Sequence, residues 1–199
     1  MKSKTTSTLL ISEYRGKILL ALPQILKIDV NVVLDILPFD ENEVTLCDGQ
    51  VHNVDNLISP NYYTVKLDNE QLSIPYRFYF NEPEIEKENK LSDTQKTILN
   101  CIYLRHHNGF LRQKRLEQLI DKTEFWIAPY LLQLLGEYVY EILEVLDKCI
   151  NDKNIVNYKR FVKENPKYWQ QTKSRMISYW NCYYRQTKSK ELSWATNHR

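Results

Sequence analysis

The sequence predicts an α+β protein: a small β-rich module over residues 1–82, an acidic linker over 83–93, and an α-helical module over 94–190. Two observations carry this. Short apolar runs broken by tight-turn residues fill the first part, whereas after Asp93 apolar residues recur at i, i+3, i+4 and i+7, the period of a buried helix face. Between them lies NEPEIEKENKLSD, Asn81 to Asp93, which is acidic, contains Pro83 and has almost no apolar side chains. Such a run cannot bury enough surface to offset its ordering entropy, so it reads as a surface connector and a domain boundary. With 199 residues, 43% hydrophobic and 26% charged, the chain can build a sizeable core and is not of disordered composition.

In the first module, TLLISEYRGKILLAL (Thr8 to Leu22) has two apolar runs around Tyr14-Arg15-Gly16-Lys17, and a hairpin is predicted with Gly16 supplying a positive φ. In QILKIDVNVVLDIL, Ile28, Val30, Val32 and Leu34 alternate with other residues, which predicts a strand, with a short helix ending before Pro38 as the alternative. Asp48-Gly49 between EVTLC and QVHNV is the strongest short-range hairpin signal. YYTVKLDNEQLSIPYRFYF predicts a second hairpin turning at Asp68-Asn69, with Pro75 placing its second strand at an edge or bulge.

In the second module, Ser92 and Gln95 form a capping box for a helix running to about His106 and burying Ile98, Cys101 and Ile102, with Asn108-Gly109 ending it. FLRQKRLEQLI predicts a helix with Leu116, Leu119 and Ile120 on one face. FWIAPYLLQLL is apolar nearly all round and therefore buried on more than one side. After Gly136, Val139, Ile142, Leu143, Leu146 and Ile150 keep helical spacing, and Asn165-Pro166 divides two further amphipathic stretches, 154–163 and 167–185.

Composition excludes several function classes. Only four glycines, at 16, 49, 109 and 136, are too few and too scattered for a dinucleotide fingerprint or a P-loop. The four cysteines form no C-x-x-C pair, so neither a zinc knuckle nor a thioredoxin-like motif is readable, and a reducing compartment fits. No cofactor, metal site or catalytic residue is expected. Charges Glu13, Arg15 and Lys17 interrupt any secretory h-region, and the richest apolar segment, 125–135, falls short of the roughly 20 residues that cross a bilayer. The expectation is a cytoplasmic protein without membrane partners. Charge divides unevenly: residues 1–90 carry nine basic and fourteen acidic side chains, net −5, and the rest eighteen and eleven, net +7. This implies two modules with different partners, a basic end for an acidic partner, or a solubilising surface.

NGFLRQKRLEQLI followed by FWIAPYLLQLLGEYVYEIL resembles a HEAT-type α-helical repeat over residues 95–150. The resemblance implies stacked, right-handed helix pairs with Asn108-Gly109 as the turn, Arg112 as a buried-end arginine and Leu116 and Leu119 in the core. It also implies Pro129 as a helix-kinking or helix-starting proline, and Val139, Ile142 and Leu143 packing the partner helix. The sequence departs from the pattern at Tyr140, where the family often has arginine, and holds only about three helix pairs, near the minimum for a solenoid. The β-rich part would then cap an apolar helix face. The resemblance implies a scaffold or recognition surface rather than a reaction.

Among chemistry-bearing residues, His106 and His107 are adjacent, about 100° apart on a helix, so they do not converge on one metal; a helix-end position, where a protonated His favours the macrodipole, is expected instead. Glu137, Glu141 and Glu144 are expected on one solvated stripe, and Cys182 has no histidine placed to activate it. From Lys159 to Arg185, cations interleave with rings, a composition suited to nucleic acid, although Met176, Tyr179, Trp180 and Tyr183 also have the spacing of a core stripe. The functional expectation is non-catalytic recognition of another protein through the helical surface, with Arg112, Trp126, Arg175, Trp180 and Arg185 as anchors. The alternative is nucleic-acid binding through Lys159, Lys163, Lys173 and Arg185, and a third reading is a bacterial toxin-neutralising, immunity-type protein.

Overall fold

A computed structural model of the chain describes residues 4–41, 43–45 and 49–184. The class is α+β: among the described residues there are nine α-helices and two antiparallel two-stranded sheets. The first element departs from expectation. Lys4–Leu19 is a single helix, α1, where a hairpin was expected. Its buried residues Tyr14 and Ile18 are four apart, a helical spacing that the apolar runs on both sides of Gly16 concealed. Glu13 and Lys17 pair across one turn at 2.6 Å. After Pro23 and a short 3-10 turn, α2 (Lys27–Leu34) resolves the second ambiguity in favour of helix. It buries Val30, Val33 and Leu34, whereas Ile28 and Val32, which completed the apparent alternation, face outward. Residues 1–82 therefore hold two helices beside their four strands.

Both hairpins form. β1 (Glu43–Thr45) pairs with β2 (Val51–Asn53), with Val44 opposite His52, and Gly49 in the connection has a φ of +82° that favours glycine. β3 (Tyr62–Leu67) pairs with β4 (Glu70–Pro75) across a two-residue turn in which Asp68 has φ 55°, a left-handed conformation that Asp tolerates. Tyr63, Val65 and Leu67 point inward at period two. Pro75 is the last residue of β4, where a missing N–H interrupts no ladder.

The segment 81–93 holds one short helix, α3 (Ile85–Glu88), and its carboxylates have a partner. Glu82 and Glu88 both pair with Arg115, which is almost wholly buried and lies over the Tyr103 ring. Then α4 (Asp93–Tyr103) starts on the expected capping box: the Gln95 amide donates to Ser92 Oγ at 3.3 Å and the Ser92 amide to Gln95 Oε1 at 3.0 Å. Asn108-Gly109 opens the next helix rather than closing this one. Asn108 caps α5 (Gly109–Glu117) by accepting from the Phe110 and Leu111 amides, and Gly109 has no left-handed φ. Pro129 sits in the first turn of α6 (Ala128–Leu134), the position where its missing N–H costs nothing. α7 (Tyr140–Cys149), α8 (Ile155–Glu164) and α9 (Pro166–Tyr179) complete the helices, and α9 runs into a π-helical turn, Trp180–Tyr184.

Buried apolar side chains from α1, α2, β3, β4 and α4 to α9 form one continuous cluster. Two polar ties cross it. The Tyr130 hydroxyl on α6 donates to the Ala21 carbonyl at 2.6 Å. Asn165, between α8 and α9, completes the free edge of β3: its amide group donates to Lys66 O at 2.7 Å and accepts from Lys66 N at 2.6 Å. α8 and β3 are thereby fixed against each other, and with them the wall of the cavity described next.

Candidate functional site

Three cavities bear charged residues of both signs, and the balance of charge distinguishes them. The one beside α3, about 420 Å³, sets Glu82, Glu88 and Asp93 against Lys96, Lys114, Arg115 and Lys122, and the last three of these pair with the carboxylates. A groove of about 410 Å³ runs between β3–β4 and the α8–α9 junction, lined by Lys66, Glu164 and Asn165. The third, about 230 Å³, lies where the chain after β4, the end of α4, the α6–α7 connection and α9 meet. Its charged lining is Arg77, Arg105, Arg175 and Glu137. Here three guanidinium groups face one carboxylate, a larger positive excess than in the other two, and this is the candidate site.

Each side chain is placed by a different element. Arg105 follows α4 and is 1% exposed; its Nε donates to Pro75 O at 3.3 Å and its Nη2 to Tyr76 O, so it ties the end of α4 to the end of β4. Burial, and then the nearby Arg77, push its pKa down to about 10, which leaves it a cation at neutral pH. Its Nη1 is buried without a protein partner, as is Oε1 of Gln133, another lining residue. Arg175 on α9 donates through Nη1 to the Tyr63 hydroxyl at 2.5 Å and lies 5.2 Å from the centre of that ring. Tyr63 stacks on Tyr76 with centroids 3.9 Å apart. At the other side Tyr138 stands 5.8 Å from Tyr179 and 5.7 Å from Tyr183.

Glu137 belongs to this assembly and not to a solvated stripe. It lies ahead of α7, is 6% exposed, and accepts from Arg77 Nη2 at 3.0 Å and Arg112 Nη2 at 3.2 Å. Glu141 and Glu144, its expected companions, are exposed on α7. Arg112 also donates from Nη1 to the carbonyls of His106 and His107, at 2.7 and 2.9 Å, and so holds the α4–α5 turn from the interior. His106 is held neutral, contrary to the expected helix-end cation. Nε2 bonds the Phe80 carbonyl at 3.0 Å, Nδ1 accepts from the Asn108 amide at 3.1 Å, and burial with His107 alongside pushes its pKa down to about 3.

Of the expected anchors, Arg112 pairs with Glu137 and Arg175 packs against Gly136. Arg112 is buried behind the site, whereas Arg175 is half-buried and lines it. Trp126 is half-buried against the core, Trp180 is exposed at the end of α9, and Arg185 lies outside the described residues. Lys159 and Lys163 are exposed one turn apart on α8, and Lys173 is exposed on α9. Of the rings that interleave with these cations, Phe161 and Tyr168 are buried, Trp169 and Tyr179 are half-buried, and Trp180 and Tyr183 are exposed. Sequence reasoning missed Tyr63, Tyr76, Arg77, Arg105 and Gln133, which become neighbours only in the fold: Tyr63 and Arg175 are 112 positions apart.

Among the described residues no group of His, Cys, Asp and Glu is arranged to hold a metal ion, and no helix is long and apolar enough to cross a membrane. No family model, curated protein or solved structure matches this chain.

Proposed function

We propose that the chain is a non-catalytic recognition module that binds another protein through the surface formed by the α6–α7 connection and α9, with the arginine-lined cavity at its centre. The observation that carries this reading is the convergence of Arg77, Arg105 and Arg175 with Tyr63, Tyr76, Tyr138 and Tyr179 around one opening. Arginine and tyrosine are the residues that most often dominate binding energy at protein interfaces, because each joins a large contact area to directed donors. Exposed Trp180 and Tyr183 extend the same aromatic character along the end of α9. The placement is also rigid: every lining arginine is tied to backbone, a ring or a carboxylate, so little order remains to be created on binding.

The architecture in this reading is a HEAT-like stack of antiparallel helix pairs. The contacts of α5 with α7, α6 with α7 and α8, and α8 with α9 support it, as does Pro129 in the first turn of α6. Capture of the tagged chain from a native lysate, with and without nuclease and at two salt concentrations, tests the function. A stoichiometric protein retained under all four conditions is expected. Recovery of nucleic acid alone, lost at the higher salt, would replace this reading with binding through Lys159, Lys163 and Lys173.

A further inference from the structure

The cavity carries more positive charge than its own residues use. Glu137, the carboxylate among its described lining residues, is already held by Arg77 and, from behind, by Arg112. Three lining guanidinium groups against this single carboxylate leave two positive charges over. The Arg105 guanidinium is buried with Nη1 unmet, and Arg175 gives one N–H to Tyr63 while remaining half-exposed. Water can satisfy an unmet N–H, but it does not balance charge in a region of low dielectric. A dianion does both.

A phosphate monoester carries a charge of about −1.5 to −2 at neutral pH and three strong acceptor oxygens, which the planar fork of arginine matches in pairs. A carboxylate supplies half the charge and two oxygens. The volume of about 230 Å³ is below the roughly 300–1,000 Å³ of sites that enclose a whole drug-sized ligand. It suits a phosphate whose bearer stays at the mouth, where Tyr138 is 53% exposed. We infer that this cavity binds the phosphate of a phosphate monoester, with Arg105 and Arg175 as donors and Tyr138 and Tyr179 flanking the group that bears it. The inference rests on reading this face as the recognition surface, and the two can fail separately.

Calorimetric titration of the full chain with phenyl phosphate, and with benzoate for comparison, tests it. Phenyl phosphate is expected to saturate one site per chain, at least about tenfold more tightly than benzoate, and R175Q to weaken it at least about tenfold. R105Q is expected to abolish binding; because loss of a buried guanidinium can unfold the chain, the half-exposed R175Q carries the test, with its melting temperature followed in parallel. K173Q, which removes the same charge from an exposed part of α9, should leave the affinity unchanged. A phosphotyrosine peptide binding more tightly than inorganic phosphate assigns the phosphate to a partner protein, and the reverse order assigns it to a free phosphate compound. Absence of saturable phenyl phosphate binding, equal affinity for benzoate, or equal weakening by R175Q and K173Q overturns the inference. Phenyl phosphate failing while protein capture persists removes this inference alone; phenyl phosphate binding without any captured protein removes the recognition reading alone.

Discussion

At the residue scale, the buried polar side chains serve as ties between elements. Arg112 joins the α4–α5 turn to Glu137, Arg115 draws the acidic segment onto α4 and α5, and His106 bonds Phe80 and Asn108 as a neutral ring. The last has a consequence for acid stability. Its pKa falls from the ordinary histidine value of 6.5 to about 3 on folding, so between those values the unfolded chain takes up a proton that the folded chain refuses. Stability from this residue is present above about pH 6.5 and is lost as pH falls toward 3, at a cost of about 2 kcal/mol by about pH 5. Urea unfolding near pH 7 and pH 5 should show H106Q losing less stability than wild type over that step; equal losses would contradict the assignment. This behaviour was not legible in the sequence, which offers His106-His107 as a helix-end pair and gives no sign that Phe80 waits with a carbonyl. Arg175, by contrast, was found from its setting among aromatic residues, although not its tie to Tyr63.

Legibility at the element scale depended on how local the deciding interaction is. Asp68-Asn69 and Gly49 fix their turns through their own backbone conformations, and Ser92 with Gln95 closes a capping box within four residues, so each was readable. α1 was not, because apolar residues on both sides of a glycine suit a hairpin and a helix equally, and burial of Tyr14 and Ile18 against the core decides between them. Gly16 now lies within a helix, has no left-handed φ, and a Cβ there would meet nothing within 4 Å. G16A should therefore stabilise the chain by about 0.4–1 kcal/mol, through lower entropy of the unfolded state. A shifted urea midpoint at constant m-value would bear this out; destabilisation would argue for a turn at Gly16.

Across the whole molecule, the α+β class and the helical second half were legible, since periodicity and composition speak to them directly. The site was not, because its walls come from β3, the chain after β4, the end of α4, the α6–α7 connection and α9, brought together by one shared core. The charge division along the sequence takes a more specific form in the fold. Glu82 and Glu88 are neutralised locally by Lys114 and Arg115, whereas the arginines around Glu137 outnumber their acid. Excess positive charge is thus concentrated in a rigid, tyrosine-flanked opening, which favours recognition there over the exposed lysines of α8. The most direct test is side-by-side capture from one lysate with the wild-type chain, R175Q and K163Q, after thermal melts show that all three are folded. A partner protein held by wild type and K163Q and lost from R175Q is expected; equal retention by R175Q, or loss only from K163Q, would contradict recognition at the arginine-lined cavity.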